Sequence, residues 1–298
     1  MSKWSLKRAG LIGSLALGLV VAGCGSDDSS DNGDGDGGDG SRGDLEIAYV
    51  EWDSEVASTH VIAQVLEDEG YDVTLTALDN AVMWEAVANG EADGMVSAWL
   101  PLTHEGQYEA YADQVVELGP NLEGAKIGLV VPEYMDVDSI EDLSDEAGQN
   151  ITGIEPGAGV VNAAENAVEE YDNLEDWTVQ TSSSGAMATE LGSAYDSEDE
   201  IVVTGWTPHW KFQAYDLKYL EDPDGVFGEA ETIDTMVREG LEEDSPEAYQ
   251  ILDNFYWTPE DMEEVMLDIN EGASPEDAAA DWVEANQDKV DEWTEGIE

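Results

Sequence analysis

Two stretches of this chain share one device. Met95-Val-Ser-Ala-Trp99-Leu-Pro-Leu-Thr-His104 and Ile201-Val-Val-Thr-Gly-Trp206-Thr-Pro-His209-Trp210 are short apolar runs that stop at tryptophan, proline and histidine. A run of this kind reads as a buried parallel strand, and the C-terminal ends of such strands deliver their last side chains into a ligand crevice. A third stretch, Ile47-Ala-Tyr-Val-Glu-Trp52-Asp-Ser, ends a strand in tryptophan without the proline and histidine. Three tryptophans at strand ends can form a box, and the rest of the chain must fold so that these ends meet.

The surrounding pattern supplies the means. Residues 54–69 place Val61, Ile62, Val65 and Leu66 on one helical face and stop at Gly70, a residue suited to the left-handed position past a helix end. A strand over 73–78, an N-cap at Asn80, a helix through Val87 ending at Gly90 and the strand to Trp99 complete β-α-β-α-β with short connections, which predicts a parallel sheet. Residues 126–131 form another apolar strand closed by Pro132. The pattern then restarts with strand 151–155, a glycine turn, helix 160–170, strand 178–181, helix 185–191 and the strand to Trp206. Two similar α/β units predict two lobes facing one another: 44–125 with 218–298, and 126–217, the chain recrossing at 217–220. In the helical last third, Ser245-Pro-Glu, Thr258-Pro-Glu-Asp and Ser274-Pro-Glu-Asp each set a hydroxyl N-cap before proline with acids in the first turn, so three helices start there.

The N-terminus reads as material outside the fold. Lys3, Lys7 and Arg8 precede an apolar run from 11 to 21 that is too short to span a bilayer, and Val21-Ala-Gly-Cys24 follows, the pattern of a secretory signal. It resembles a bacterial lipoprotein signal, residues 1–23, with cleavage before Cys24 and lipid on that sulfur. Cys24 is the single cysteine of the chain, so no internal disulfide can form and a lipid anchor best explains it. Residues 24–43, nearly all Gly, Ser, Asp and Asn, are too polar to offset their ordering entropy and read as a disordered tether. Within it Asp34-Gly-Asp36-Gly lacks the closing glutamate of a calcium loop, and Arg42-Gly-Asp44 reads as chance.

Nine basic residues against 71 acidic give −62; without Lys3, Lys7 and Arg8, six against 71 give −65. Nucleic acid and anionic membrane surfaces are poor partners for such a field. The acids are spread over helix faces among abundant apolar residues, so the chain reads as a folded protein working in high salt, where the Debye length falls to about 3 Å at 1 M. A halophile is the expected source.

The glycine turn, Glu155-Pro-Gly157-Ala-Gly159-Val160, has neither the third glycine of a dinucleotide fingerprint nor the Gly-Lys-Ser/Thr of a P-loop. Its free N–H groups at a helix start suit a single carboxylate, or the turn is a bend that binds nothing. Trp84, Trp177, Trp257, Trp282 and Trp293 read as packing, and Trp210 as support for the site wall or packing. A cluster of indole faces, with no buried acid clearly positioned to neutralise charge, attracts a quaternary ammonium through the ring quadrupoles. Paired with an anion site, it suits a small zwitterion.

Val50-Glu-Trp52-Asp-Ser-Glu, Ser97-Ala-Trp99-Leu-Pro-Leu-Thr-His104, Glu155-Pro-Gly-Ala-Gly159-Val160 and Thr204-Gly-Trp206-Thr-Pro-His-Trp210 together resemble the glycine betaine-binding proteins of bacterial ABC importers, the OpuAC type, over 45–296. The resemblance implies a two-lobed, type II-like periplasmic-binding-protein fold with the ligand in the cleft between lobes. It implies a trimethylammonium cage of Trp52, Trp99 and Trp206, and a carboxylate site of the Gly159 and Val160 amides with the His104 side chain. His209 and His60 match no ligand contact. The expected protein is an extracytoplasmic, lipid-anchored monomer that captures glycine betaine for osmoprotective uptake, hands it to an ABC permease and its ATPase, and needs no cofactor or metal. Choline, carnitine and proline betaine are the alternative ligands. An enzyme such as a secreted hydrolase lacks a nucleophile elbow or His-Glu-x-x-His here, and a surface adhesin would leave the tryptophans unexplained.

Overall fold

The computed structural model describes residues 41–297. The signal segment 1–23, Cys24 and the tether up to residue 40 lie outside the described residues. The last tether residues already join the fold: the Arg42 amide donates to Gly70 O at 2.8 Å, its guanidinium pairs with Glu247, and the first strand begins at Gly43.

In chain order the elements are β1 (Gly43–Tyr49), α1 (Asp53–Asp68), β2 (Tyr71–Ala77), α2 (Asn80–Ala88), β3 (Gly94–Leu100), α3 (Glu105–Tyr111) and β4 (Val115–Pro132). Then come β5 (Asn150–Thr152), α4 (Gly159–Glu170), β6 (Thr178–Gln180), α5 (Ser184–Ser197), β7 (Val202–Thr207), α6 (Lys211–Ala214) and β8 (Leu217–Tyr219). The chain ends with β9 (Glu231–Arg238), α7 (Leu241–Asp244), α8 (Pro246–Asn254), α9 (Pro259–Glu271), α10 (Pro275–Ala285) and α11 (Gln287–Trp293). The two expected α/β units are present, and their strands run in the order β2-β1-β3-β9-β4-β7-β5-β6. β4 joins the two groups: residues 115–125 pair with β9, and residues 126–130 pair with β7.

The sheet is mixed, not parallel throughout. β1 runs parallel to β2 and β3, and β5 parallel to β6 and β7, but β9 is antiparallel to both β3 and β4, and β4 is antiparallel to β7. The stretch 217–220, read as the recrossing, supplies β8, which pairs with β4 at Val130–Pro132 in the second group; the chain rejoins the first group at β9.

Two strand segments escaped the sequence pattern for physical reasons. The first half of β4 contains Gly119, Pro120 and Gly124, which read as loop. Register shifts against β9 at Glu117/Gly119, Pro120/Leu122 and Glu123/Ala125 absorb them as bulges. β9 carries two buried acids, Glu231 and Asp234, which break the apolar alternation.

Helix α1 is more deeply buried than one apolar face requires, because it lies between the first strand group and α9 and α10. Val61, Ile62, Val65 and Leu66 are buried as expected, and so are Ser54, Glu55, Ser58, Thr59 and His60. Beyond it Phe255, Trp257, Trp282 and Trp293 pack as one aromatic cluster, with Phe255 and Trp293 edge to face at 4.9 Å. Trp84 and Trp177 are buried in the core, so the five tryptophans read as packing do pack.

The three Pro-N1 helices start where the sequence places them, but their caps differ. Thr258 forms a full capping box with Asp261: the Asp261 amide donates to Thr258 Oγ1 at 3.3 Å and the Thr258 amide donates to Asp261 Oδ2 at 2.9 Å. Ser274 Oγ accepts from the Asp277 amide at 3.1 Å, whereas the Ser245 hydroxyl makes no cap bond. Thr258→Ala should therefore lower the unfolding free energy by about 1 kcal/mol and Ser245→Ala by only a few tenths, read by chemical denaturation. Equal losses would mean that the capping geometry does not govern these helix starts.

Candidate functional site

The site is built from the ends of β3 and β7, the turn between β1 and α1, and the turn before α4. Trp99 is the penultimate residue of β3 and Trp206 that of β7, and each is followed by a cis X-Pro bond, at Leu100-Pro101 and Thr207-Pro208. Trp52 stands past the end of β1, as the N-cap residue of α1. All three indoles are buried and line one small cavity with Ser54, Glu55, Thr103, Ile127, Ile154, Ala158, Gly159 and Val160. The three expected cage tryptophans and the two residues of the glycine turn are thus brought together.

A buried indole needs a partner for its N–H, and each one here has it. Trp99 Nε1 donates to Glu55 Oε1 at 2.7 Å, Trp206 Nε1 to Ser54 Oγ at 3.1 Å, and Trp52 Nε1 to Glu155 Oε2 at 3.1 Å. Behind them Trp210 Nε1 donates to Asp53 Oδ1 at 2.7 Å, and Ser184 Oγ donates to Asp53 Oδ2 at 2.7 Å. The bonds from Trp206, Trp210 and Ser184 to α1, and from Trp52 to Glu155, run between elements of the two strand groups. With the N–H edges tied to oxygens, the three indoles contribute no free hydrogen-bond donor to the cavity wall.

Sequence reasoning found no acid positioned in the box, and the structure corrects it. Glu55 lines the cavity, is fully buried, and accepts from both Trp99 and the Ser54 hydroxyl, the latter at 2.5 Å. Burial pushes its carboxyl up to about 7, against the opposing hydrogen bonds from Ser54 and Trp99. Asp53 goes the other way. Burial alone would raise it, but His209 and the hydrogen bonds from Ser184 and Trp210 outweigh that and hold it well below the usual carboxylate range. The missed signal is Asp-Ser-Glu at the start of α1, which looks like ordinary N-terminal acids complementing the helix dipole.

His104 is held in a closed turn: its amide donates to Trp99 O at 2.9 Å, and its Nδ1 accepts from the Trp99 amide at 3.1 Å. It is not itself a cavity-lining residue; Thr103 beside it is. The imidazole lies 6.0 Å from Trp52 and 6.0 Å, edge to face, from Trp84. Burial drives its pKa down to about 3, so the ring is neutral. With Nδ1 accepting, the proton sits on Nε2, and that buried N–H has no hydrogen-bond partner among the described residues. The preceding loop is braced by buried Glu231, which accepts from the Leu102 and Thr103 amides at 2.6 and 2.9 Å and from the Thr103 hydroxyl.

Opposite that loop, Gly159 and Val160 open α4, a helix with a β-region N-cap residue, Ala158, and no side-chain cap. The first amides of a helix have no intrahelical acceptor, so this end presents N–H groups to the cavity wall. Gly159 is required here for a close approach: a Cβ at that position would stand 2.3 Å from Thr103 O. Of the other histidines, His209 sits behind Trp206, Nε2 3.6 Å from Asp53 Oδ2. It is kept neutral, with a pKa lowered to about 4 by burial and the nearby Lys211. His60 lies outside the site, near exposed Glu276. Lys211 is buried with its Nζ 4.2 Å from the Trp206 ring centroid.

Comparison with known proteins places this geometry. Residues 43–285 match the OpuAC model, the substrate binding domain of ABC-type glycine betaine transport systems. The chain is 52% identical over 162 residues to the glycine betaine/carnitine transport binding protein GbuC of Listeria monocytogenes serotype 1/2a (strain 10403S), covering 54% of each; it thus spans about half the length of that relative. The crystal structure of lactococcal OpuAC, closed and complexed with glycine betaine, superposes with a TM-score of 0.83 at 56% identity, covering 85% of this chain and 99% of that one. An ABC-transporter choline binding protein in complex with choline gives 0.79 at 29%, over 85% and 92%. These neighbours share the two-lobed periplasmic-binding-protein fold. The chain belongs to the OpuAC family of substrate-binding domains of ABC-type glycine betaine transport systems.

Proposed function

We propose that this chain is the extracytoplasmic solute-binding component of an ABC importer, and that it captures glycine betaine for a permease and its ATPase. Trp52, Trp99 and Trp206 surround the trimethylammonium. The Gly159 and Val160 amides with His104 Nε2–H hold the carboxylate. The supporting observation is the pairing of two environments around one small cavity: three indoles whose N–H groups are already engaged, and a lining helix start with no side-chain cap on its first amides, with the unpaired Nε2–H of His104 following the lining residue Thr103. A permanent cation fits the first without needing a hydrogen bond. A carboxylate satisfies the second, whereas choline would leave those donors unpaired at about 1–3 kcal/mol each.

In this reading the two expected lobes close over the ligand, with the recrossing moved from 217–220 to the segment between β8 and β9, because β8 pairs in the second strand group and β9 in the first. The chain is a lipoprotein held at the cell membrane through Cys24 and the tether between it and Arg42, where the fold begins, monomeric, with no cofactor, no nucleic-acid partner and no enzymatic turnover. None of the described helices is long and apolar enough to cross a membrane.

Calorimetric titration tests the ligand assignment. Glycine betaine should bind at least ~100-fold tighter than choline, each of Trp52→Ala, Trp99→Ala and Trp206→Ala should weaken it roughly tenfold or more, and His104→Ala should narrow the gap to choline. Choline bound as tightly as betaine would move the assignment to a choline receptor; unchanged affinity in all three tryptophan variants would remove the cage.

The acidic surface points to a protein adapted to high salt, since −65 beyond the signal segment is self-repulsive at low ionic strength. Among the described residues Arg42, Lys218, Arg238 and Lys289 are in ion pairs with carboxylates, while Lys211 is buried against Trp206. Few cations are therefore left to offset the acids. The melting temperature should rise steeply between dilute buffer and molar salt; a flat response would contradict the halophile reading.

A further inference from the structure

Of the buried ionisable groups at the site, Glu55 is the one that lines the cavity, and the cage reading gives it no task. It lines the cavity and fixes two walls at once: Trp99 directly, through Oε1, and Trp206 through Ser54, whose hydroxyl accepts from Trp206 Nε1 and donates to Glu55 Oε2. Trp99 comes from β3 and Trp206 from β7, so this single carboxyl couples the two strand groups. No Lys, Arg or His among the described residues forms an ion pair with it.

We propose that Glu55 is the positioning residue of the cage and its missing counter-charge, and that it ionises as the quaternary ammonium arrives, releasing its proton to solvent. This rests on the betaine reading above. The carboxylate acts through the indoles: an ionised acceptor on an indole N–H is a stronger, more polarising partner than a neutral one. It thereby favours the electron-rich ring face that a cation seeks. The permanent positive charge in return favours the carboxylate over the acid.

The pH dependence follows in sign. Without ligand the Glu55 carboxyl is raised to about 7, by burial first, with the charge of Asp53 adding to the rise. A cation in the cavity pulls it down, so the complex binds fewer protons than the free protein, and affinity is lost as pH falls below about 7. The groups around it are Asp53 on its own helix, His104 behind Trp52, His209 and Lys211 behind Trp206, and Glu155 on Trp52. Asp53 is held ionised, and the two histidines, lowered to about 3 and about 4, stay neutral across the range concerned. Lys211 is lowered to about 7 by burial and titrates in the same window, so the test must separate it from Glu55.

Glycine betaine is titrated calorimetrically into the wild-type protein between pH 5.5 and 8.5, in buffers of differing ionisation heat, and into Glu55→Gln and Lys211→Met checked for folding by thermal melts. The wild type is expected to bind about tenfold more tightly at pH 8 than at pH 6 and to release up to about one proton near neutrality. Glu55→Gln should bind more weakly with a flat profile and no proton release, and Lys211→Met should keep both slope and release. A flat wild-type profile, or a slope that survives in Glu55→Gln, overturns the proposal. If Glu55→Gln does not fold, loss of proton release in Lys211→Met overturns it and persistence supports it. Absence of betaine binding by the wild type at every pH refutes the functional reading instead, and is distinguishable from all of these.

Discussion

Hydrogen bonds between the first turn of α1 and the indoles of the opposite strand group are the constraint on which the site depends. Asp53 and Ser54, with Glu55 behind Ser54, take the Trp210 and Trp206 N–H groups, while Glu155 on the other side takes that of Trp52. Each bond satisfies a donor that would otherwise be buried unpaired, at a cost of about 1–3 kcal/mol. With the bond from Trp99 to Glu55, they anchor the N–H edge of every indole that lines the cavity. The three indoles line one cavity with their N–H groups held by oxygens, which leaves the cavity wall without competing hydrogen-bond donors from the indoles.

The same geometry sets what the second end of the cavity can accept. Gly159 allows α4 to approach the Thr103 carbonyl more closely than any side chain would permit. This brings a helix start and its unengaged amides next to the turn that holds His104. The imidazole is neutral, its Nδ1 committed to the Trp99 amide and its Nε2–H unpaired. Indoles with engaged N–H groups, together with unengaged donors nearby, are what the proposed function matches to a zwitterion rather than a simple cation.

Much of this was legible in the sequence. An aromatic residue closing a β-branched run marks a strand end on its own, and two such runs with the same Trp-x-Pro spacing already imply paired units. The glycine turn alone also reads as a bend that binds nothing, and it is the family resemblance that assigns Gly159 and Val160 to the carboxylate site. Other features were not legible. Asp-Ser-Glu after Trp52 is indistinguishable from solvated helix-start acids until tertiary packing buries it. β9 and the first half of β4 carry buried acids and bulge-forming glycine and proline that mimic loop. Local pattern records what a residue prefers, and these residues are placed by partners far along the chain: Glu55 by Trp99, Glu231 by Leu102 and Thr103.

The central claim is that the indole box recognises charge, and not merely a bulky apolar group. Titration with 3,3-dimethylbutanoate tests it most directly, because this anion replaces the quaternary nitrogen of glycine betaine by carbon while keeping the shape and the carboxylate. If the rings act through their quadrupoles, the carbon analogue should bind at least about thirtyfold more weakly than glycine betaine, the loss of ~2 kcal/mol or more of cation–π attraction. Equal or tighter binding of the uncharged head group would show that the box selects by apolar burial alone.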